Sequence, residues 1–85
     1  MFQLSVVTPS GKAFEDKVES IAVPGLIGGL EVYSNHMPML CALKTGPVRI
    51  KKNGKEQVLN IDSGVLEVSA NHNVLLLADQ IIANK

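Results

Sequence analysis

Four side chains have types that could carry chemistry: Cys41, Ser63, His36 and Asp62. A nucleophile needs a neighbouring base and an orienting acid, so Cys41 or Ser63 would have to meet His36, with Asp62 holding the imidazole. No spacing in the sequence draws these residues together, and a plainer account exists for each. Cys41 reads as a small buried apolar group, and Asp62-Ser63-Gly64 reads as a turn. Metal chemistry would need three or four convergent ligands. His36 and His72 fall in different segments with one cysteine in the whole chain, so no metal or other cofactor is expected.

Two further patterns resemble binding motifs. VPGLIGGLEVYSNHMP, residues 23–38, holds Gly25, Gly28 and Gly29. A phosphate cradle would need a strand before the loop and a helix after it, and here a second strand follows. Leu26 and Ile27 between these glycines either fold back over the core or form an apolar loop tip that a partner covers. Lys51, Lys52 and Lys55 form a basic cluster without interleaved aromatics, so solvation and edge protection explain it better than nucleic acid.

The elements that must position these residues are short strands. Eighty-five residues suffice for a single domain, residues 1–85, with one modest core. Hydrophobic residues make up 46% and charged residues 19%, a balance that favours folding over disorder. Eight basic and eight acidic residues cancel, so no net field draws the chain to nucleic acid or anionic lipid. The single cysteine excludes an internal disulfide frame and suits a reducing compartment. No basic leader or membrane-length apolar run is present, so any membrane contact is expected to be indirect.

Phe2, Leu4 and Val6 alternate with polar residues, predicting a strand that Thr8-Pro9-Ser10-Gly11 turns. A short edge strand is expected over Lys12–Glu15. A second run covers Val18–Val23, which Pro24-Gly25 ends by removing a donor and permitting positive φ. Leu30–Tyr33 follows, then Met39–Leu43, which reads as a strand covered on both faces or as a helical turn. Asn53-Gly54 predicts a type I′ hairpin in which Val48 faces Leu59, Lys51 faces Glu56 and Lys52 faces Lys55. Gly64–Ser69 is a further strand. Asn71-His72-Asn73 bends the chain into Val74–Ala78, expected to be central and doubly covered, and Asp79–Lys85 extends it or frays. Eight or more strands in two stacked sheets make an all-β antiparallel sandwich.

FQLSVVTPSGKAF, VPGLIGGLEVYSNHMPMLCALKTGPVRI and SGVLEVSANHNVLLLAD together resemble the N-terminal sandwich domain of the epsilon subunits of F-type ATP synthases. The resemblance runs over nearly the whole sequence. It rests on V-T-P, on P-G-x-x-G-x-L-G, on G-H-A-P-L-L with A-L-K and glycine following, and on S-G-G with L-E-V and V-L-A-D. It implies a non-catalytic rotor part that binds the gamma subunit and the membrane-embedded ring of c subunits, coupling proton transport to ATP synthesis. By the resemblance, Leu26, Ile27, Gly28 and Gly29 face the ring, whereas Thr8, His36, Met37 and Cys41 face gamma. It implies a peripheral membrane protein on the cytoplasmic face of a bacterial inner membrane, or on the stroma-facing thylakoid surface. A stand-alone sandwich module binding another protein or a ligand is the alternative, and a small hydrolase built on Cys41 or Ser63 comes last.

Several positions depart from the pattern. The acid often found at the place of Gly29 is missing, and Glu31 stands where glycine is usual. Ser34-Asn35 replaces P-G, Met37-Pro38 replaces A-P, and Asp62-Ser63-Gly64 replaces S-G-G. Many family members continue into a C-terminal helical hairpin that restrains ATP hydrolysis. The sequence is then either a natural short form or one trimmed of that hairpin.

Overall fold

The computed structural model describes residues 1–34 and 37–82. Ten strands follow in chain order: β1 (Phe2–Thr8), β2 (Gly11–Val18), β3 (Ser20–Pro24), β4 (Gly29–Tyr33) and β5 (Met39–Leu43), then β6 (Gly46–Lys52), β7 (Lys55–Ile61), β8 (Gly64–Val68), β9 (Asn73–Ala78) and β10 (Ile81–Ile82). Sheet one has the order β2-β1-β9-β8-β5 and sheet two the order β10-β7-β6-β3-β4. Every pairing is antiparallel except β1 with β9. The chain is an all-β sandwich, as the strand pattern predicts.

Period-two alternation builds the core. Leu4, Val6, Leu66 and Leu76 point inward from sheet one, meeting Ile21, Val32, Val48, Ile50 and Ile61 from sheet two, all fully or almost fully buried. Asn53 and Gly54 take φ of 52° and 77°, as a type I′ turn requires. The hairpin register is the expected one, with Val48 opposite Leu59 and Lys52 opposite Lys55. Lys52 escapes its like-charged neighbour by reaching across the open side of the sandwich to Asp16 on β2. That hydrogen bond, with the Lys17 backbone N–H, holds the Asp16 carboxyl below the usual carboxylate range. Glu56 pairs with Arg49 at 3.5 Å rather than with Lys51 directly opposite it.

Five expectations need correction. The Lys12–Glu15 edge strand is eight residues long, because β2 pairs with β1 from Gly11 to Val18, interrupted only by a bulge at Ala13. The run from Val18 to Val23 is broken at Glu19, so that Val18 ends β2 in sheet one and Ser20 opens β3 in sheet two. Apolar residues fall on both sides of that corner because both strands face the same core. Met39–Leu43 is an edge strand with Leu40 73% exposed, not one covered on both faces. Val74–Ala78 is central, yet Leu77 is 46% exposed, so its outer face is uncovered by the other described residues. Ile81 and Ile82 do not extend it. They cross to sheet two and pair with Ile61 and Asn60 of β7.

At the β7–β8 turn Ser63 has φ of 125°, a region that side chains with a Cβ adopt only under strain. Its hydroxyl donates to Asp79 Oδ2 at 2.6 Å, a bond exposed to solvent. Relief of backbone strain, about 1 to 3 kcal/mol, outweighs an exposed hydrogen bond of about 1 kcal/mol. Ser63→Gly is therefore expected to stabilise the fold by about 1 kcal/mol, raising Tm by roughly 4 to 8 °C in thermal unfolding. A lowered Tm would show that the Asp79 bond is the larger contribution.

Candidate protein–protein interface

Among the described residues, the candidate nucleophile Ser63 and acid Asp62 bond to groups other than an imidazole. Ser63 is bonded to Asp79, while Asp62 Oδ1 accepts from the Thr45 hydroxyl at 3.2 Å. His72 Nδ1 donates to the Ser34 carbonyl at 2.9 Å, linking the β8–β9 bend to the end of β4. Ser63 and His72 flank opposite ends of β8, a strand of roughly 15 Å. Cys41 is half-buried on β5. His36 lies outside the described residues. Among the described residues no group of three His, Cys, Asp or Glu side chains could hold a metal, and no helix is long and apolar enough to cross a membrane.

What the structure presents instead is surface. The loop after β3 is tight, with Gly25 C=O accepting from Gly28 N–H at 3.1 Å. A Cβ on Gly25 would overlap the Gly28 carbonyl oxygen, so the position needs glycine for space. The positive φ expected there is absent, since the glycines with positive φ are Gly11 and Gly54. Gly28 and Gly29 face open space. Leu26 is 63% exposed and Ile27 fully exposed, so of the two accounts open in the sequence, folding back over the core is excluded. The loop is anchored along β5, where Leu26 N–H donates to Ala42 C=O and Lys44 N–H to Pro24 C=O, both at 2.9 Å.

The outer face of sheet one is the second surface. The ladders align Val7, Leu77, Val65 and Ala42 in one row across four strands, and Ser5, Leu75, Glu67 and Leu40 in the next. Most of these are aliphatic, and Leu40, Val65 and Leu77 are exposed. Lys12 and Glu15, an ion pair at 2.7 Å, edge the face on β2, and the lysine holds the Glu15 carboxyl below its ordinary range. The outer face of sheet two differs in kind. It carries Glu31, Tyr33, Arg49 and Glu56, and the Glu31 carboxylate, accepting from the Tyr33 hydroxyl, raises the phenol's pKa. An apolar centre with a polar margin is the composition of a docking face, and sheet one alone has it.

The residues expected to face gamma are divided by this arrangement. Thr8 ends β1, where its Oγ1 donates to Gly11 C=O and accepts from Ser10 N–H, closing the turn beside Val7 and Leu77. Cys41 is opposite buried Leu66, and so points into the space between the sheets. Met37 is exposed ahead of β5. β1 and β5 are three strand spacings apart, roughly 14 Å. The surface that joins them, Val7, Leu77, Val65 and Leu40, was missed in the sequence reading. Its signal was present as alternation: Met39, Cys41 and Leu43 inward imply Leu40 outward.

A sandwich with one aliphatic outer sheet face and one exposed apolar loop has the surface composition of a docking domain. Its sequence matches the model of the ATP synthase delta/epsilon chain β-sandwich domain over residues 1–84. The chain belongs to that family. It is 40% identical over 79 residues to the ATP synthase epsilon chain of Chlorobium limicola, covering 92% of this chain and 90% of that one. It is 37% identical to the epsilon chain of Dichelobacter nodosus, covering 88% of this chain and 53% of the relative. The chain thus spans nearly all of one relative and about half of the other. In fold it matches a chain of the Tetrahymena thermophila mitochondrial ATP synthase central stalk and c-ring, with TM-score 0.83, 14% identity and coverage of 94% of this chain and 64% of that one. A chain from the Euglena gracilis mitochondrial ATP synthase matches with TM-score 0.87 and 17% identity, over 93% and 51%.

Proposed function

We propose that this chain works as an epsilon-type central-stalk subunit of an F-type ATP synthase, a non-catalytic unit of residues 1–85 that joins gamma to the c ring. The single observation that carries this reading is the uncovered aliphatic face of sheet one, where Leu40, Val65 and Leu77 stand exposed. Gamma seats on that face, with Leu40, Val65 and Leu77 at its centre and Thr8 and Met37 at its margins. Leu26 and Ile27 meet the ring loops, with Gly28 and Gly29 giving the close approach. His36 is assigned to the gamma side through the family resemblance; Cys41, which points between the sheets, has no contact assigned on that face.

The ring contact is apolar rather than ionic. Glu31 sits on the outer face of β4 bonded by Tyr33, away from the loop tip where the family's acid would stand. Torque transfer needs stiffness, which two interdigitated sheets supply. The protein reaches the membrane through the ring, on the side facing the cytoplasm.

Reconstitution with gamma and the c ring tests both surfaces separately. Leu77→Asp puts a charge on the proposed gamma face without touching the core, and is expected to weaken gamma binding by about 1 to 4 kcal/mol. Ile27→Asp is expected to leave gamma binding unchanged while lowering ring association and the coupling of proton flow to ATP turnover. Full gamma affinity in Leu77→Asp would refute the face assignment.

A further inference from the structure

Sheet one has two edges, and they are treated differently. The β2 edge carries Lys12, Glu15, Asp16 and Lys17, the charged protection that keeps an edge from pairing with other chains. β5, reading Met-Leu-Cys-Ala-Leu, has no charge at all. In sheet two, edge strand β4 carries Glu31, and β10 is two residues long.

The hydrogen-bond phase of β5 follows from the anchored loop. Ala42 C=O and Lys44 N–H bond outward to Leu26 and Pro24, around the isolated bridge between Gly25 and Leu43. The β5–β8 register runs without a shift from Met39 opposite Val68 to Leu43 opposite Gly64. Alternation along an antiparallel strand then turns Leu40 N–H, Leu40 C=O and Ala42 N–H the same way, out of the sheet. Among the described residues none of these three groups has a backbone partner beyond the sheet. The chain's own Gly25–Leu26 segment satisfies the C-terminal half of the edge and stops. The N-terminal half is left open beside Leu40, whose side chain belongs to the aliphatic face.

Three outward groups at strand spacing are matched by one kind of ligand, an extended polypeptide segment. We propose that β5 takes an extended, uncharged segment of gamma as a sixth strand of sheet one, paired at Leu40 and Ala42. This deepens the rotor reading and rests on it. Gamma is the occupant because the open edge is continuous with the face it is proposed to cover: a chain lying over Val65 and Leu40 reaches the rim at these groups. Side chains of that segment on the outer side would pack beside Leu40, which calls for an aliphatic or aromatic residue there.

The test compares Leu40→Pro with Leu40→Ala in binding purified gamma, alongside amide hydrogen exchange of the wild-type protein free and in complex. Both variants shorten the side chain, and only proline removes the outward N–H, at an edge position where proline is tolerated. Leu40→Pro is expected to bind roughly tenfold or more weaker than Leu40→Ala. In the wild type, the Leu40 and Ala42 amides are expected to exchange fast when free and slowly with gamma bound, while Cys41 and Leu43 stay protected in both states. Equal affinity of the two variants, or no slowing at Leu40 and Ala42 in a complex that forms, overturns strand addition and leaves the rotor reading standing. No complex with wild-type protein overturns the rotor reading itself. A gamma-free dimer that Leu40→Pro converts to monomer gives the edge to a second copy, which also overturns the proposal. If Leu40→Pro fails to fold by circular dichroism, the exchange measurement on wild type decides alone.

Discussion

Gly64→Ala is expected to remove much of the stability of the fold. A Cβ at this position would overlap the Leu77 carbonyl oxygen and crowd the Ala78 Cα, which is backbone on both counts. Backbone cannot rotate aside as a side-chain tip does, so β8 and β9 must part where Gly64 pairs with Ala78. β8 also holds β5 through the Gly64–Leu43 pair, and separation there detaches the edge strand as well. Such a clash costs about 3 to 5 kcal/mol. A domain of this length has roughly 4 to 13 kcal/mol in total. The expected readout is loss of cooperative urea unfolding, or a midpoint lowered by more than half. A Tm within 5 °C of wild type would show that the two strands can separate without harm.

Leu76→Ala should have the next largest effect. Leu76 is fully buried at the centre of sheet one, between Val6 of β1 and Leu66 of β8. Its neighbours on both sides are held by ladder hydrogen bonds and cannot close around the space left behind. The expected loss is about 3 to 4 kcal/mol, or roughly 15 to 25 °C in Tm for a chain of this size. The adjacent Leu77→Ala is the control. Its side chain lies on the outer face, so the loss should stay under about 1 kcal/mol. If the two variants lost equal stability, the inward and outward assignment of β9 would be wrong.

The sequence exposes the parts of this fold that are decided locally. Asn53-Gly54 sets both φ angles of its turn, and through them the register of β6 on β7. Alternation in Phe2, Leu4 and Val6 sets the inner face of β1. What it hides is decided by neighbours far along the chain. Val74 to Leu77 reads as doubly covered because its composition is apolar throughout, but an outward leucine awaiting another protein and one covered within its own chain have the same side chain. Met39–Leu43 misleads for the same reason, and only the strand order reveals it as an edge. The break at Glu19 is invisible because the residues on either side feed one core from two sheets. For the surface, Leu26 and Ile27 are named correctly as exposed only once Gly25 is seen to be tied to Gly28 and its loop anchored on β5. The outer row from Val7 to Ala42 unites residues from four strands, and no local pattern gathers them.

The β1–β9 pairing has a consequence for biosynthesis. Gln3 lies beside Asn73 and Val7 beside Leu77, so the first strand made must wait for almost the last. β6 and β7 can zip as soon as their turn emerges, whereas closing the middle of sheet one brings together residues some seventy positions apart, a long loop to close. During translation β1 and β2 therefore form a two-stranded ribbon with an unoccupied inner edge, the stage at which the nascent chain most needs protection by a chaperone.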